Sequence, residues 1–438
     1  MTSQRVIQAL CLAVVGLQQT GYGGPTALDS SNDNEPELGI TRQGISVSLT
    51  RPDYSATHLL FPSSFTSKAA EIQAVEGTGK VTVTPLESLS LNRTHSSGAV
   101  YPTTGGLTFS SWFRWNTQDN DDGIVGSEWN PQGMSGTWDS GAQIGAADWM
   151  AVTWPHRDYN LNVDDALRIS FSKSPSATGT YRHVLLVNTV ADSTVPGGYN
   201  LTAIKRHGDG LVWYKKYLYV ADACNGFMVF DTHHVWHISD YNDESVGWDT
   251  ARSSFHARYH LYAMPLIGWY RWSTGWNCTN GATGTGENHP ALASAHLDRT
   301  SVPGVHTLYG TSLDGRAVGW TLNQTTGLPV LSSDNLAHPS VGYKFGGFDG
   351  LTHRLTAFAV VGGNVYAADI DGATRDPYGT GGCLHYTDLY KGAKTGSSLA
   401  FTGFLNSCTE ALSYRSATGR LWTINETQGH KEINSFVP

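Results

Sequence analysis

Charged residues are scarce in this chain. Asp, Glu, Lys and Arg make up 15% of its 438 residues, against about 25% in an average soluble domain, so a fold built from salt-bridged surface helices is not expected. The 28 Lys and Arg residues are outnumbered by 37 Asp and Glu residues, and a net negative chain has no electrostatic attraction for a phosphate backbone. Nucleic acid is therefore not an expected partner.

The common catalytic and metal-binding signatures are also missing. The sequence has no G-x-S-x-G, H-E-x-x-H or P-loop pattern, so serine hydrolases, zinc peptidases and NTPases have no positive support. Residues 119–123 resemble the start of a calcium loop, but Glu128 lies too near to be its bidentate ligand, which favours a solvated turn. The spacing of His233, His234 and His237 could suit a metal, although an exposed loop is favoured. We expect no metal and no cofactor.

Long apolar runs are absent, and no stretch approaches the roughly 18 residues that a membrane helix needs. The nearest is residues 6–17, which follow Arg5 and precede small residues. This pattern predicts a signal peptide, with a first core strand as the alternative because Gln8 interrupts the run. We expect a secreted chain, or one in the lumen of the secretory pathway, with no membrane partner. The predicted boundaries are 1–23 for the signal peptide, 24–40 for a flexible leader and 41–438 for a single domain.

Cysteines are few, and their number fits an oxidising compartment. Cys11 lies in the predicted leader, which leaves four cysteines and three possible connectivities for two disulfides. Local closure favours Cys383 with Cys408 and Cys224 with Cys278. Five Asn-X-Ser/Thr sequons predict surface glycosylation; they are Asn92, Asn200, Asn277, Asn323 and Asn425.

Glycine and aromatic residues are abundant, with 49 Gly, 14 Trp, 20 Tyr and 14 Phe. Tight turns between short aromatic strands need this mixture, and we find no convincing long amphipathic helix. The predicted strands are 45–49, 80–83, 107–115, 150–154, 167–171, 183–190, 210–214, 217–221, 226–230, 306–310, 317–322, 355–361, 365–368, 411–414 and 420–424.

A repeat of about 60 residues is the most informative feature. An acidic residue precedes an apolar strand at Asp148, Asp209, Asp349 and Glu410, and Glu287 is a candidate for a missing start between them. A hairpin unit at this spacing can bury its faces only against neighbouring units. The repeat therefore predicts an all-β fold, a six-bladed β-propeller, with a β-sandwich as the alternative.

The ring of such a propeller must be closed. The last unit is truncated at Pro438, and we expect the strands around Ile45 and Val81 to complete it. The Trp-rich segment 259–276 is long enough to form a lid, and a packed outer strand is about equally favoured.

The acidic residues at the strand starts are the leading functional candidates. The innermost strand of each blade begins near the axial opening, where converging carboxylates would raise one another's pKa and leave a protonated acid, or gather a divalent cation. The alternative is that each residue only caps its own turn. Glu410 is the first catalytic candidate because it follows a potentially bridged Cys408; Asp349 and His353 are second. The candidate substrate-binding residues are Trp149, Asp209, Trp213, Lys344, Tyr414 and Trp422.

Three segments, 210–231, 292–300 and 408–430, resemble a family of secreted β-propellers of fungi and filamentous bacteria. The similarity spans roughly residues 148–438, and no short catalytic motif can be carried across. Some fungal proteins of this kind are glycosylated, cofactor-free hetero-Diels-Alderases of tropolonic sesquiterpenoid biosynthesis.

The resemblance implies a two-step reaction on a hydrophobic, oxygenated small molecule. A hydroxymethyl tropolone would lose water to give an o-quinone methide, which would then add to a terpene alkene in a [4+2] closure. The first step needs a general acid, and the second needs a dry site that holds both reactants. Two alternatives stay open: a lectin-like or other ligand-binding propeller, and a calcium-dependent hydrolase or lyase.

Overall fold

The computed structural model describes most of the chain downstream of the predicted leader. Among the described residues the fold is almost entirely β-strand, which confirms the all-β prediction. No helix in this part of the chain is long and apolar enough to span a membrane. The described residues are 45–96, 107, 109–116, 119, 127–140, 144, 147–158, 163–176, 178–238, 244–273, 291–371, 386–426 and 431–438.

Antiparallel four-stranded sheets, here called blades, make up most of the described fold. In each blade the strands pair in order from the first to the fourth, and the first strand of blade 1 is interrupted. Blade 1 contains Ser127–Trp129 with Met134–Gly136, Trp149–Asp158, Val163–Lys173 and Thr180–Ala191; blade 2 contains Leu211–Tyr214, Tyr217–Asp222, Gly226–Asp231 and Tyr262–Trp272. Blade 3 contains Leu292–Asp298, His306–Ser312, Arg316–Leu322 and Pro339–Gly346; blade 4 contains His353–Val361, Asn364–Asp371, Tyr386–Ala393 and Ser398–Ser407. Blade 5 contains Thr409–Arg415, Arg420–Asn425, Glu432–Phe436 and Phe109–Arg114.

The first strands of the blades lie together around a common axis. Each contacts the first strand of the next blade, and the first strand of blade 5 contacts that of blade 1. The packing is close: a Cβ added at Gly210, directly before the first strand of blade 2, would clash with the backbone nitrogen of Ala295 in blade 3. Between blades 4 and 5, the Thr356 hydroxyl donates to the Thr409 carbonyl at 2.8 Å. This arrangement is that of a β-propeller.

The described strands supply five blades and do not confirm the predicted count of six. The predicted count of six assigns the strand at 107–115 and the truncated C-terminal unit to different blades. In the structure Phe109–Arg114 pairs with Glu432–Phe436, so both belong to blade 5. The two strands expected to complete that unit pair elsewhere: Val47–Thr50 lies between the fourth strands of blades 3 and 4, and Thr82–Val83 pairs with Trp236–His237.

The outer strands connect neighbouring blades. The fourth strands of blades 1 and 2 run parallel over three residue pairs, from Leu185 with Ala263 to Val187 with Pro265. Leu60–Ser63 adds to the fourth strand of blade 2. That strand, Tyr262–Trp272, occupies the segment considered as a lid. The lid prediction is therefore wrong for the described part of that segment, and the packed outer strand is confirmed.

One helix was not expected from the sequence. Phe65–Gly77 packs against the fourth strands of blades 1 and 2. It buries only Ile72 and Val75, so it lacks the continuous apolar stripe by which amphipathic helices are recognised. The remaining short elements are the helix Thr137–Ser140, the 3₁₀ turns Leu86–Ser88 and Pro196–Gly198, and the strands Arg93–Thr94, Tyr199–Ala203, Val246–Asp249 and Ser254–Ala257.

The hydrophobic core lies between successive blades. Its clusters combine residues from facing sheets, such as Trp154 of blade 1 with Ile424 of blade 5 and Trp213 of blade 2 with Phe171 of blade 1. This is how a radial arrangement buries strands whose individual sheets are apolar on both faces. The core therefore holds the first strands, and the loops at their ends, in fixed positions around the axis.

Candidate functional site

The ring has two mouths with different structures. We call the end where the first strands begin the near mouth and the end where they finish the far mouth. At the far mouth Arg299, from blade 3, donates from Nη1 to the carbonyls of Trp138 and Asp139 in the blade 1 helix, at 2.9 and 2.8 Å. Blades 1 and 3 are not neighbours in the ring, so this contact crosses the far mouth. The near mouth is the better candidate for substrate entry.

Glu410 stands at the near mouth because of an irregularity in blade 5. The pairing of its first two strands shifts between Thr409, opposite Asn425, and Ala411, opposite Ile424. Glu410 is thus the extra residue of a β-bulge, a feature that re-aims a side chain. The preceding Cys408 is disulfide-bonded, buried and in the left-handed region at φ 51°. The bulge and the bridge together fix the backbone from which Glu410 projects.

The Glu410 carboxyl is half-buried and has no hydrogen-bond or ion-pair partner among the described residues. Burial raises its pKa well above the usual value, and the nearby carboxyls of Glu426 and Asp209 raise it further. The charges of His207 and Arg354 act in the opposite direction. A carboxyl in this setting holds its proton to a higher pH than an exposed carboxyl does and can give it to a bound molecule.

Glu426 is a second carboxyl of the near mouth and was not identified from the sequence. It directly follows the second strand of blade 5, and its Oε2 accepts a hydrogen bond from the Gln132 amide of blade 1. Burial raises its pKa, while the charges of His207 and Lys431 and the Gln132 bond lower it. No strand pattern could have marked this residue, because it reaches the site only when blades 1 and 5 pack together.

His207 and Asp209 also belong to the near mouth, beside the carboxyls of Glu410 and Glu426. His207 Nδ1 lies 3.1 Å from Asp164 Oδ2, and its Nε2 lies 3.4 Å from Asp209 Oδ1. Burial opposes the imidazolium charge, but the Asp209 and Asp164 carboxylates outweigh it and raise the pKa of His207 to about 10. Burial also raises the pKa of Asp209 to about 6, against the opposing effect of His207. Of the acidic residues at the strand starts, Asp209 lies close enough to Glu410 for its charge to raise the pKa of Glu410.

Asp349 caps its own turn, which is the alternative role considered for the acidic residues at the strand starts. Its Oδ1 accepts from the backbone N–H groups of Leu351, Thr352 and His353 at 2.8, 2.8 and 3.0 Å. Burial opposes the charge, but these N–H groups hold the pKa of Asp349 below its usual value. A carboxylate whose ionised form is stabilised by three N–H groups is a poor proton donor.

His353 is the other second-choice catalytic candidate, and it contacts a carboxyl of its own blade, blade 4. Its Nδ1 lies 2.8 Å from Asp369 Oδ2. Burial raises the pKa of Asp369 to about 6, although His353 opposes the shift. His353 and Asp369 therefore form a neighbouring pair at the start of the first strand of blade 4.

Asp148 and Trp149 lie away from the near mouth, contrary to the sequence-based expectation. They begin the second strand of blade 1, which runs antiparallel to the first, so Asp148 pairs with Arg415 at the end of the first strand of blade 5. From the sequence this second strand resembles an inner one, because the true first strand is short and interrupted. Trp149 is buried in the core between blades.

The other candidate substrate-binding residues do not line the near mouth. Trp213 is buried in the core and Tyr414 is near the end of its strand. Trp422 is buried and stacks on Trp138 at 5.9 Å between ring centroids. Lys344 belongs to the fourth strand of blade 3, and its Nζ lies 3.6 Å from Asp314 Oδ2.

The predicted modification sites differ in accessibility. Asn92 and Asn323 are exposed, and Asn200 is half-buried with its amide donating to Asp192 at 3.2 Å. Asn425 is only 4% exposed and its Oδ1 accepts from the Glu432 N–H, so a glycan there is incompatible with the packed strand. Cys224, like Cys408, is disulfide-bonded; Cys278, Cys383, Asn277 and Glu287 lie outside the described residues.

The two candidate metal segments are engaged in other contacts. Asp119 is buried and lies 2.8 Å from Arg93 and 3.0 Å from His183, and its neighbours at 120–123 lie outside the described residues. His233 is exposed, and His234 lies 2.8 Å from Glu76. Within the described ranges no group of three or more His, Cys, Asp or Glu side chains could hold a metal ion.

Comparisons with known proteins leave the family open. No family model matches the chain, and no curated protein matches it. Among solved structures, the chain is similar to the β-propeller domain of Myceliophteria thermophila Cps50 (Swd1), at 9% identity and a TM-score of 0.24 over 67% of this chain and 81% of that one. It is similar to the WD40 repeats of RRP9, at 9% identity and a TM-score of 0.24 over 70% and 94%.

A third similar structure is the GH43_1 enzyme from Xanthomonas citri in complex with xylose. The identity is 9% and the TM-score is 0.30, over 84% of this chain and 92% of that one. Scores of this size carry no argument about activity. The propeller assignment rests on the strand pairing and on the contacts between first strands.

Proposed function

We propose that the near mouth is the active site of a cofactor-independent enzyme in which Glu410 acts as a general acid. The observation that carries this proposal is that the half-buried Glu410 carboxyl has no hydrogen-bond or ion-pair partner among the described residues. Structural carboxylates of this fold are bonded: Asp222 lies 2.8 Å from Arg206 Nε, and Asp349 accepts three N–H groups. A carboxyl that accepts no hydrogen bond from the described part of the chain is available to a ligand.

The reaction that we propose is the dehydration and cycloaddition implied by the family resemblance. Glu410 gives its proton to the hydroxyl of a hydroxymethyl tropolone, the carbon–oxygen bond breaks and water leaves. Loss of the ring hydroxyl proton gives the neutral o-quinone methide. Its oxygen and exocyclic carbon then bond to the two alkene carbons of a terpene, and no external oxidant or reductant takes part.

Several finer features belong to the same proposal. We expect the chain to be secreted and glycosylated, as the leader and sequons predict. We also propose that the pairing of Phe109–Arg114 with the C-terminal strand is what closes the ring. Deletion of residues 109–114 should then abolish cooperative unfolding, because it exposes the edge of Glu432–Phe436.

The test is the rate of dihydropyran formation from a hydroxymethyl tropolone and a humulene-type alkene. Glu410→Gln keeps the shape of the side chain but has no acidic proton, so we expect a loss of about 100-fold or more, the usual scale for a general acid. Glu87→Gln is the matched control, because Glu87 is exposed in a 3₁₀ turn outside the blades. An unchanged rate in a folded Glu410→Gln variant would refute the role of Glu410.

A further inference from the structure

Blade 5 differs from blades 2 and 4, in which a cation pairs with the acid at the near end of the second strand. In blade 2 that acid is Asp222, which lies 2.8 Å from Arg206. In blade 4 it is Asp369, which lies 2.8 Å from His353. In blade 5 the comparable residue is Glu426, and no cation of the described chain lies within ion-pair distance of it.

Glu426 is held instead by a neutral group. Gln132 is 2% exposed and donates its amide to Glu426 Oε2. Of the two cations that act on Glu426, Lys431 is committed to Glu128 at 2.7 Å and to the Trp129 carbonyl at 2.5 Å, and His207 lies against Asp164 and Asp209 at 3.1 and 3.4 Å. An amide donor orients a carboxylate without neutralising it, and its hydrogen bond favours the ionised form of Glu426, the form that can accept a proton.

The two carboxyls of blade 5 are therefore placed in different environments. Among the described residues Glu410 has no hydrogen-bond donor, whereas Glu426 has the Gln132 amide and the nearby charges of His207 and Lys431. The backbone places them together, since the Glu426 N–H donates to the Cys408 carbonyl at 3.3 Å, two residues before Glu410. When the environments of two neighbouring acids differ in this way, one serves as the acid and the other as the base.

We propose that Glu426 is the base of the reaction and that Gln132 is a positioning residue that directs it toward the substrate. This inference rests on the proposed function of Glu410. As Glu410 protonates the leaving hydroxyl, Glu426 accepts the proton of the ring hydroxyl, and that O–H electron pair forms the carbonyl of the quinone methide. After the reaction Glu426 is protonated and Glu410 is ionised. Proton exchange with solvent then restores the proton of Glu410 and removes that of Glu426. The substrate class is thus an alcohol whose CH₂OH group stands beside an acidic ring hydroxyl.

The test compares two precursors of the same quinone methide. A hydroxymethyl tropolone has a leaving group that needs protonation, whereas its acetoxymethyl analogue loses acetate without an acid. We expect Glu410→Gln to lose about 100-fold on the alcohol but only a few-fold on the acetate, and Glu426→Gln to lose about 100-fold on both. The rate in buffer alone is subtracted from each measured rate. Glu87→Gln is the control variant, and circular dichroism shows whether each variant is folded.

A second variant separates a positioning role from a structural one. Gln132→Leu removes the hydrogen bond that favours the ionised form of Glu426, so the acid limb of the pH profile of kcat/KM should move to higher pH, with activity recovered there. A merely structural role would lower kcat/KM equally at every pH.

Full activity of Glu426→Gln on the acetate, with Glu410→Gln still impaired on the alcohol, would overturn the role of Glu426 and leave that of Glu410 standing. A wild-type rate equal to that of buffer on both precursors would overturn the proposed function, and this inference with it.

Discussion

Asp139 offers a quantitative test of how blades 1 and 5 are joined. Its Oδ2 accepts hydrogen bonds from Ser135 of blade 1 at 2.8 Å and from Ser413 of blade 5 at 2.9 Å. Burial raises the pKa of Asp139 to about 7, although the two hydroxyls and the charge of Arg299 oppose the shift. The carboxyl therefore carries a proton in the folded protein at pH values where the unfolded chain is already ionised.

The sign of the pH dependence follows from this difference. A carboxyl whose pKa is raised by folding stabilises the native state at low pH, and the stabilisation is lost as the pH rises through about 7. A tenfold change in proton affinity is worth 1.36 kcal/mol, so the rise from 3.8 to about 7 corresponds to roughly 4 kcal/mol in total. Roughly 3 kcal/mol of it falls between about pH 4.5 and 8.5, because the unfolded carboxyl is partly protonated at the lower pH.

The perturbation is Asp139→Asn, and the assay is denaturant unfolding at about pH 4.5 and 8.5. Other groups titrate in both proteins and cancel in the comparison. Relative to the wild type, the Asn variant should gain roughly 3 kcal/mol in free energy of unfolding on going to the higher pH. Ser413→Ala, which removes one donor but leaves the carboxyl, should keep the wild-type direction. A difference between wild type and Asp139→Asn that is constant to within about 1 kcal/mol would refute the reasoning.

Three further outcomes follow from the structure. His207→Gln removes the positive charge that opposes the rise in the pKa of Asp209, so the Asp209 carboxyl should titrate above about 6 in an NMR pH titration, and an unchanged value would place His207 outside its influence. Asp119→Asn breaks a buried network with Arg93 and His183 and should cost about 3 kcal/mol or more in denaturant unfolding, whereas a loss below about 1 kcal/mol would mean that the network is not stabilising. Peptide mapping of protein from a eukaryotic secretory host should find glycan at the exposed Asn92 and Asn323 and none at Asn425; occupied Asn425 would contradict the pairing of its strand.

The strands were predictable from the sequence because they are short, β-branched or aromatic, and bounded by turn residues. Leu211–Tyr214 and Tyr217–Asp222 lie where the pattern puts them, since both alternation and the Lys-Lys turn are local properties. The count of blades was not predictable in the same way. Whether Phe109–Arg114 stands alone or completes the C-terminal sheet depends on a pairing across more than 300 residues.

The candidate site was predictable only in part, for a similar reason. Asp209 and Glu410 reach the near mouth because each precedes or begins a first strand. Asp148 fits the same local pattern but begins a second strand, so it lies at the opposite end of the ring. Glu426 and Gln132 meet only across the contact between blades 5 and 1, which no spacing in the sequence encodes.

The most direct test of the central claim is the rate and enantiomeric composition of the dihydropyran formed by the wild-type protein. Hydroxymethyl tropolone and a humulene-type alkene are mixed at neutral pH with and without protein, and the product is resolved on a chiral column. If the near mouth dehydrates the tropolone and holds the quinone methide against the alkene, the protein should accelerate the reaction and give one enantiomer in excess. A racemic product formed at the rate of buffer would contradict the account.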